Sequence, residues 1–171
     1  MPIHWRPLTT LDLPAVEAIA AEVHPLFPED TAVFAERQRL YPEGTRFLEV
    51  HGRPAGYIIS HPWRYGGVPA LNSRLGHIPV DADTYYIHDL ALLPAARGSG
   101  AAAMVVSDMI GHALREGLGS ASLVAVNNSR PFWTRQGFAP VERPDLSDTL
   151  RSYEAAACYM VRRLARPSSS D

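Results

Sequence analysis

Apolar positions change their spacing several times along the chain, and each change marks an element. Residues 3–8 alternate as a short first strand. Asp12 can cap a helix with Pro14 just inside its start, and Leu13, Val16, Ile19, Ala20 and Val23 then recur at helical spacing. Pro25 and Pro28 end that helix. Residues 31–40 read as a second one, stopped near Pro42-Glu43-Gly44. Residues 47–50 and 55–60 read as strands, with hairpin-turn chemistry in His51-Gly52-Arg53-Pro54 between them. From His61 to Val80 the chain is rich in Pro and Gly and has no period. A loop of that length either carries function or is a surface excursion with its aromatics tucked beneath it.

The second half is more regular. Residues 84–93 read as the central strand, and residues 100–116 as an amphipathic helix stopped by Gly117 and Gly119. Ser122-Leu123-Val124-Ala125-Val126 is nearly continuously apolar, as a buried strand requires. A short helix over 130–136 ends at Gly137, and residues 138–141 and 155–161 read as closing strands. The tail 167–171, Pro-Ser-Ser-Ser-Asp, reads as disordered. Residues 1–166 thus read as a single domain of mixed α/β (α+β) class, without repeats or an internal linker.

Composition narrows the function without deciding it. With 171 residues the chain can bury a sizeable core, and a formal net charge of −2 gives no footing for a nucleic-acid partner. The lone cysteine, Cys158, lies in an apolar run and reads as a small core residue, in keeping with a reducing compartment. No apolar run is long enough to span a membrane, and the first residues do not resemble a signal peptide, so the protein reads as cytoplasmic.

The chemistry concentrates in Arg97-Gly98-Ser99-Gly100-Ala101-Ala102, between the central strand and the long helix. The first N–H groups of a helix lack internal partners, the helix dipole adds positive charge there, and glycine lets the backbone approach a ligand. This is an anion site suited to a pyrophosphate. The dinucleotide reading is weak: the third position is Ala103, the motif lies past mid-chain, and no acidic residue ends a following strand at the expected offset. The Gly-Lys-Ser/Thr ending of a P-loop is absent from the sequence.

The element order and two motifs resemble the GNAT superfamily of acyl-CoA-dependent N-acyltransferases. Arg97-x-x-Gly100-x-Ala102 is similar to that family's Q/R-x-x-G-x-G/A coenzyme A loop. The segment Asn127-Asn128-Ser129-Arg130-Pro131-Phe132-Trp133-Thr134-Arg135-Gln136-Gly137-Phe138 looks like its asparagine, aromatic-pair and Gly-Phe region. The resemblance implies a twisted, mostly antiparallel mixed sheet of about seven strands, splayed at its centre and flanked by about four helices. It implies acetyl-CoA as cosubstrate and no metal. Gly98, Ser99, Gly100, Ala101 and Ala102 would bind the pyrophosphate beside Arg97. Leu90, Leu92 and Leu93 would offer backbone groups to the pantetheine arm, and Asn127, Ser129, Phe132 and Trp133 would form its other wall. Each also has a plain reading, Arg97 as a surface charge and Phe132 as a core aromatic among them.

Transfer to an amine needs a base at neutral pH, since a lysine-like amine has a pKa near ~10.4. His88, nine residues before Arg97, is the first choice. It stands where the arylalkylamine-acetylating branch of the family has a catalytic histidine, although a structural histidine fits as well. Strand alternation puts Tyr86, His88, Leu90 and Leu92 on one face and Asp89 on the other, unless a bulge intervenes. Asp89 is the second choice, as base or orienter, and the Leu90 amide is the expected oxyanion donor. Trp133 stands where many members carry the tyrosine that protonates the departing thiolate, and an indole N–H cannot do so. Tyr159, Tyr86, Ser129 or solvent would have to serve, or the protein binds acyl-CoA without efficient turnover, as a sensor or regulatory module. Leu26, Phe27, Tyr41, Trp63, Tyr65 and Tyr86 are expected around the acceptor, which reads as a small-molecule amine. Peptide and antibiotic amines also fit the sequence, and the family's habit of forming homodimers extends to this chain as an expectation.

Overall fold

The computed structural model describes residues 2–165, so the disordered tail expected at 167–171 lies outside the described residues. Seven strands form one open sheet: β1 (Ile3–Pro7), β2 (Thr45–Val50), β3 (Arg53–Trp63), β4 (Thr84–Leu92), β5 (Ser120–Ala125), β6 (Ala139–Pro140) and β7 (Cys158–Arg163). Their spatial order is β1-β2-β3-β4-β5-β7-β6, and the β4–β5 pair is parallel while the others are antiparallel. Five helices accompany them: α1 (Leu13–Val23), α2 (Thr31–Leu40), α3 (Ala101–Arg115), α4 (Arg130–Arg135) and α5 (Ser147–Tyr153).

Local chemistry accounts for most of this. β2 and β3 meet at a two-residue turn, where His51 and Gly52 both hold positive φ, 52° and 74°. Positive φ at both centres makes the tight turn whose twist matches a hairpin. Helices α1 and α2 cover one face, with Val16, Ile19 and Phe34 against Phe47, Tyr57, Ile59 and Ala91. Helix α3 covers the other, with Val105, Val106, Met109 and Ile110 against Ile58, Tyr85, Ile87 and Leu123.

Three departures from the sequence reading bear on the site. β3 runs on through His61 and Pro62 to Trp63 instead of ending at Ser60, because its far end pairs with the start of β4. Residues 155–157 form a turn, so β7 begins at Cys158. Helix α5, absent from the periodicity reading, brings Tyr153 to the same cavity as His88 and Phe27.

The sheet divides at β4. Its parallel pairing with β5 is confined to Tyr85–Ile87 opposite Ala121–Leu123, and beyond those residues the two strands separate. On its other edge β4 stays paired with β3 through Leu92, but Ile59 sits opposite Asp89 and Ser60 opposite Ile87. His88 is therefore the extra residue of a β-bulge, which turns one side chain out of the alternation. His88 and Asp89 both turn toward α1 and α2, while Leu90 and Leu92 turn toward the α3 side. Strict alternation had grouped His88 with Leu90 and Leu92, and the bulge overturns that grouping.

Candidate active site

The fork between β4 and β5 opens a cavity of about 730 Å³ that runs from the glycine turn to the α1–α2 connection. At one end stands the start of α3. Gly98 and Gly100 hold φ of 75° and 85°, left-handed values that only glycine adopts without strain. A Cβ on either would meet nothing within 4 Å, so backbone conformation, and not crowding, demands glycine here. The first intrahelical bond runs from the Met104 N–H to the Gly100 carbonyl, which leaves the Ala102 and Ala103 N–H groups without a partner and free to face a ligand. Arg97, Gly98, Gly100, Ala101 and Ala102 line the cavity. Ser99 does not line it. Its hydroxyl donates to the Ala96 carbonyl at 2.5 Å and accepts from the Ala101 N–H at 3.3 Å, which shapes the turn from behind.

Along the fork, backbone direction follows from one hydrogen bond. The Leu93 N–H donates to the Ala55 carbonyl at 2.8 Å, so Leu93 faces β3. Antiparallel pairing alternates, which puts the polar groups of Ala91 on the β3 side as well and leaves those of Leu90 and Leu92 facing the gap. Leu90 and Leu92 line the cavity. Leu93, grouped with them in the sequence reading, has its N–H committed to the sheet and packs in the α1–α2 core. The opposite wall carries Asn127, Ser129, Phe132 and Trp133. Trp133 is at the same time core, packed edge-on against Phe132 and Phe138.

Two histidine–carboxylate pairs stand on the α1–α2 side. The His88 Nε2–H donates to Glu29 Oε1 at 2.8 Å, and its side chain is 2% exposed. His88 Nδ1 is buried without a polar partner among the described residues. Glu29 also accepts the Asn72 N–H at 3.0 Å, which ties the long loop to the connection between α1 and α2. Burial raises the Glu29 pKa, but the His88 charge and hydrogen bond more than reverse this and hold it below the usual carboxylate value.

Asp89 does not orient His88. It accepts the Tyr57 hydroxyl at 2.5 Å through Oδ2, and its Oδ1 lies 2.9 Å from His24 Nε2. The other ring nitrogen of His24, Nδ1, faces Asn127 Nδ2 at 3.0 Å. Burial works against a charge on His24, yet the Asp89 carboxylate outweighs it and holds the imidazole above its ordinary value. Asp89 is pushed up by burial and pulled further down by His24, ending below its ordinary value. His24 and Glu29 were missed from sequence. They flank Pro25 and Pro28 in the connection between α1 and α2, and their partners on β4 are 65 and 59 residues away.

The expected acceptor aromatics separate into two groups. Phe27 and Tyr86 line the cavity, together with Leu71 from the long loop and Tyr153 from α5. Tyr41 and Trp63 do not. The Tyr41 hydroxyl lies 2.6 Å from His112 Nε2 on the α3 side, and Trp63 stacks edge-on against His61. Tyr65 packs against Tyr159, and Leu26 is exposed. Of the alternative acids, Tyr159 is also absent from the cavity, and its hydroxyl accepts the Gly66 N–H at 3.0 Å. Among the described residues no helix is long and apolar enough to cross a membrane.

The family model described as "Acetyltransferase (GNAT) family" matches residues 10–138. No protein of curated function matches the chain in sequence. Solved structures with the same fold include the ribosomal-protein-S18-alanine N-acetyltransferase from Escherichia coli, with a TM-score of 0.69, 17% identity and coverage of 99% of each chain. Naa50 of Arabidopsis thaliana, in complex with the bisubstrate analogue CoA-Ac-MVNAL, aligns with a TM-score of 0.68 and 15% identity over 94% of this chain and 97% of that one. The GphF GNAT-like decarboxylase in complex with isobutyryl-CoA aligns with a TM-score of 0.72 and 18% identity over 95% of this chain and 100% of that one. At these identities the likeness shows the fold.

Proposed function

The chain belongs to the acetyltransferase (GNAT) family, and from that premise we propose that it transfers an acetyl group from acetyl-CoA to the primary amine of a small molecule. The observation that carries this reading is the continuity of one cavity from the glycine turn, through the forked strands, to the His88–Glu29 pair. In this reading the free N–H groups at the start of α3 hold the pyrophosphate, assisted by Arg97. The backbone of Leu90 and Leu92, with Asn127 and Ser129 opposite, lines the path of the pantetheine arm. Phe132 and Trp133 pack along that path.

His88 serves as the base. Because Glu29 takes its Nε2–H, the free lone pair is on Nδ1, which accepts the proton from the incoming amine. The Leu90 N–H donates to the carbonyl oxygen as negative charge develops there, a type of contact that typically contributes about 10²–10³ in rate. Phe27, Leu71, Tyr86 and Tyr153 give the acceptor an apolar, aromatic enclosure. That enclosure suits a small amine better than an extended basic peptide.

Trp133 at the tyrosine position favours a second reading, a module that binds acyl-CoA and senses it without turnover. The two separate on one assay: acetyl-CoA is incubated with phenethylamine, spermidine and a tetrapeptide with a free N-terminus, and thiol release is followed with a chromogenic thiol reagent. Amine-dependent thiol release supports the enzyme. Saturable CoA binding without release from any amine supports the sensor.

A further inference from the structure

We infer that His24, held by Asp89, is the general acid that protonates the departing coenzyme A thiolate, the task left open by Trp133. The inference rests on the acetyl-transfer reading above. Asp89 and Asn127 bracket the imidazole, one at each ring nitrogen, at 2.9 and 3.0 Å. Asn127 stands two residues past the end of β5, in the cavity wall, and its own N–H donates to Glu154 Oε1 at 3.1 Å. His24 and Asn127 both line the cavity, so the His24 Nδ1–Asn127 contact lies in its wall, on the side of the fork where the thioester would lie. The tyrosine hydroxyls fit the task less well. The Tyr153 proton is committed to the Pro69 carbonyl at 2.6 Å, and Tyr159 is outside the cavity. Tyr86 is fully buried, with its pKa pushed well above the usual phenol value by burial.

The groups facing His24 favour its charged form. Asp89 comes from β4, backed by the Tyr57 hydroxyl from β3, and Glu29 stands on the same connection as His24. His88, the other imidazole whose charge reaches Asp89, is itself paired with Glu29. The imidazolium pairs with the Asp89 carboxylate at the Nε2 side of the ring and carries Nδ1–H toward the Asn127 side-chain oxygen, a half-turn of the amide from the arrangement with neutral His24.

The step balances without a further reactant. The amine nitrogen bonds to the carbonyl carbon, the carbon–sulfur bond breaks, the amine proton goes to His88, and the His24 Nδ1 proton goes to the thiolate sulfur. Both histidines then return to their starting states by exchange with water.

The test compares wild type with His24→Gln and Asp89→Asn, using acetyl-CoA and whichever amine of the panel is acetylated fastest. Melting temperature and the calorimetric CoA dissociation constant control for folding and binding. A required acid makes kcat fall as pH rises through its pKa. The expected result for His24→Gln is a loss in kcat of about 10²-fold or more, with that alkaline limb gone and CoA affinity within twofold of wild type. Asp89→Asn removes the carboxylate that favours the charged imidazole, so its alkaline limb moves to lower pH. A His24→Gln enzyme with wild-type kcat and an unchanged alkaline limb overturns the assignment while leaving acetyl transfer standing. Absence of transfer by the wild-type protein to every amine tested overturns both.

Discussion

His88 and His61 sit on neighbouring strands with opposite electrostatic surroundings, and each makes a separate prediction. His88 faces the Glu29 carboxylate. Replacing it with alanine removes the proposed base without touching the glycine turn. Turnover is expected to fall about 10²- to 10³-fold while the CoA dissociation constant stays within twofold, as measured by thiol release and calorimetry. His61 has no carboxylate partner. Its Nδ1 lies 2.9 Å from the Pro62 carbonyl, and burial pushes its pKa down to about 3. The unfolded chain takes up this proton near ~6.5, and the folded protein resists it. The stability that neutral His61 supplies is complete above that value and is lost as pH falls from there toward the folded value, at up to about 1.4 kcal/mol per pH unit. His61→Phe keeps the ring against Trp63 and Tyr86 and removes the titration. Denaturant unfolding of the variant between pH 7 and 5 should therefore show a shallower decline than wild type. Parallel curves would assign the acid sensitivity to other groups.

At the scale of elements, the glycine turn and the bulge do the positioning. Gly100 is the cap of α3 in the left-handed region, and a methyl group there finds open space. Gly100→Ala therefore tests backbone conformation alone. The left-handed region costs an L-residue about 1–2 kcal/mol. If the turn relaxes to avoid that cost, its N–H groups leave the anion, and the calorimetric dissociation constant for CoA should rise about tenfold. The turn was legible in sequence because it is local: two glycines, a preceding strand and a following helix are all visible within a short window. The bulge was not, because a register slip is fixed by how two strands pair and leaves no residue signature. It decides that Asp89 and His88 share a face, and so which carboxylate serves which histidine. Helix α5 was missed for a related reason. It is a short element held by distant loops and strands, through the Tyr153 hydroxyl on the Pro69 carbonyl and the packing of Leu150 beside Leu146, Tyr159 and Val161.

Across the whole molecule, the site is assembled from five stretches that sequence separates widely: the α1–α2 connection, the long loop, β4 with its glycine turn, the end of β5 with α4, and α5. Family and fold could be read from two motifs at the right separation, since β4–turn–α3 and the segment after β5 each carry their own residue pattern. The aromatic end of the cavity could not, because its composition depends on which aromatic residues the packing turns inward. Phe27 and Tyr86 face the cavity, while Tyr41 and Trp63 serve other packing. Acetyl transfer by this chain requires the fork to hold a coenzyme A arm, with the start of α3 as its anion site. NAD offers the same pyrophosphate without the pantetheine arm, so calorimetric titration with acetyl-CoA and NAD in parallel separates a forked arm site from a general dinucleotide site. Acetyl-CoA should bind saturably, one to one, and NAD should give no measurable heat. No binding of acetyl-CoA, or NAD binding as tightly, would contradict this reading of the fork.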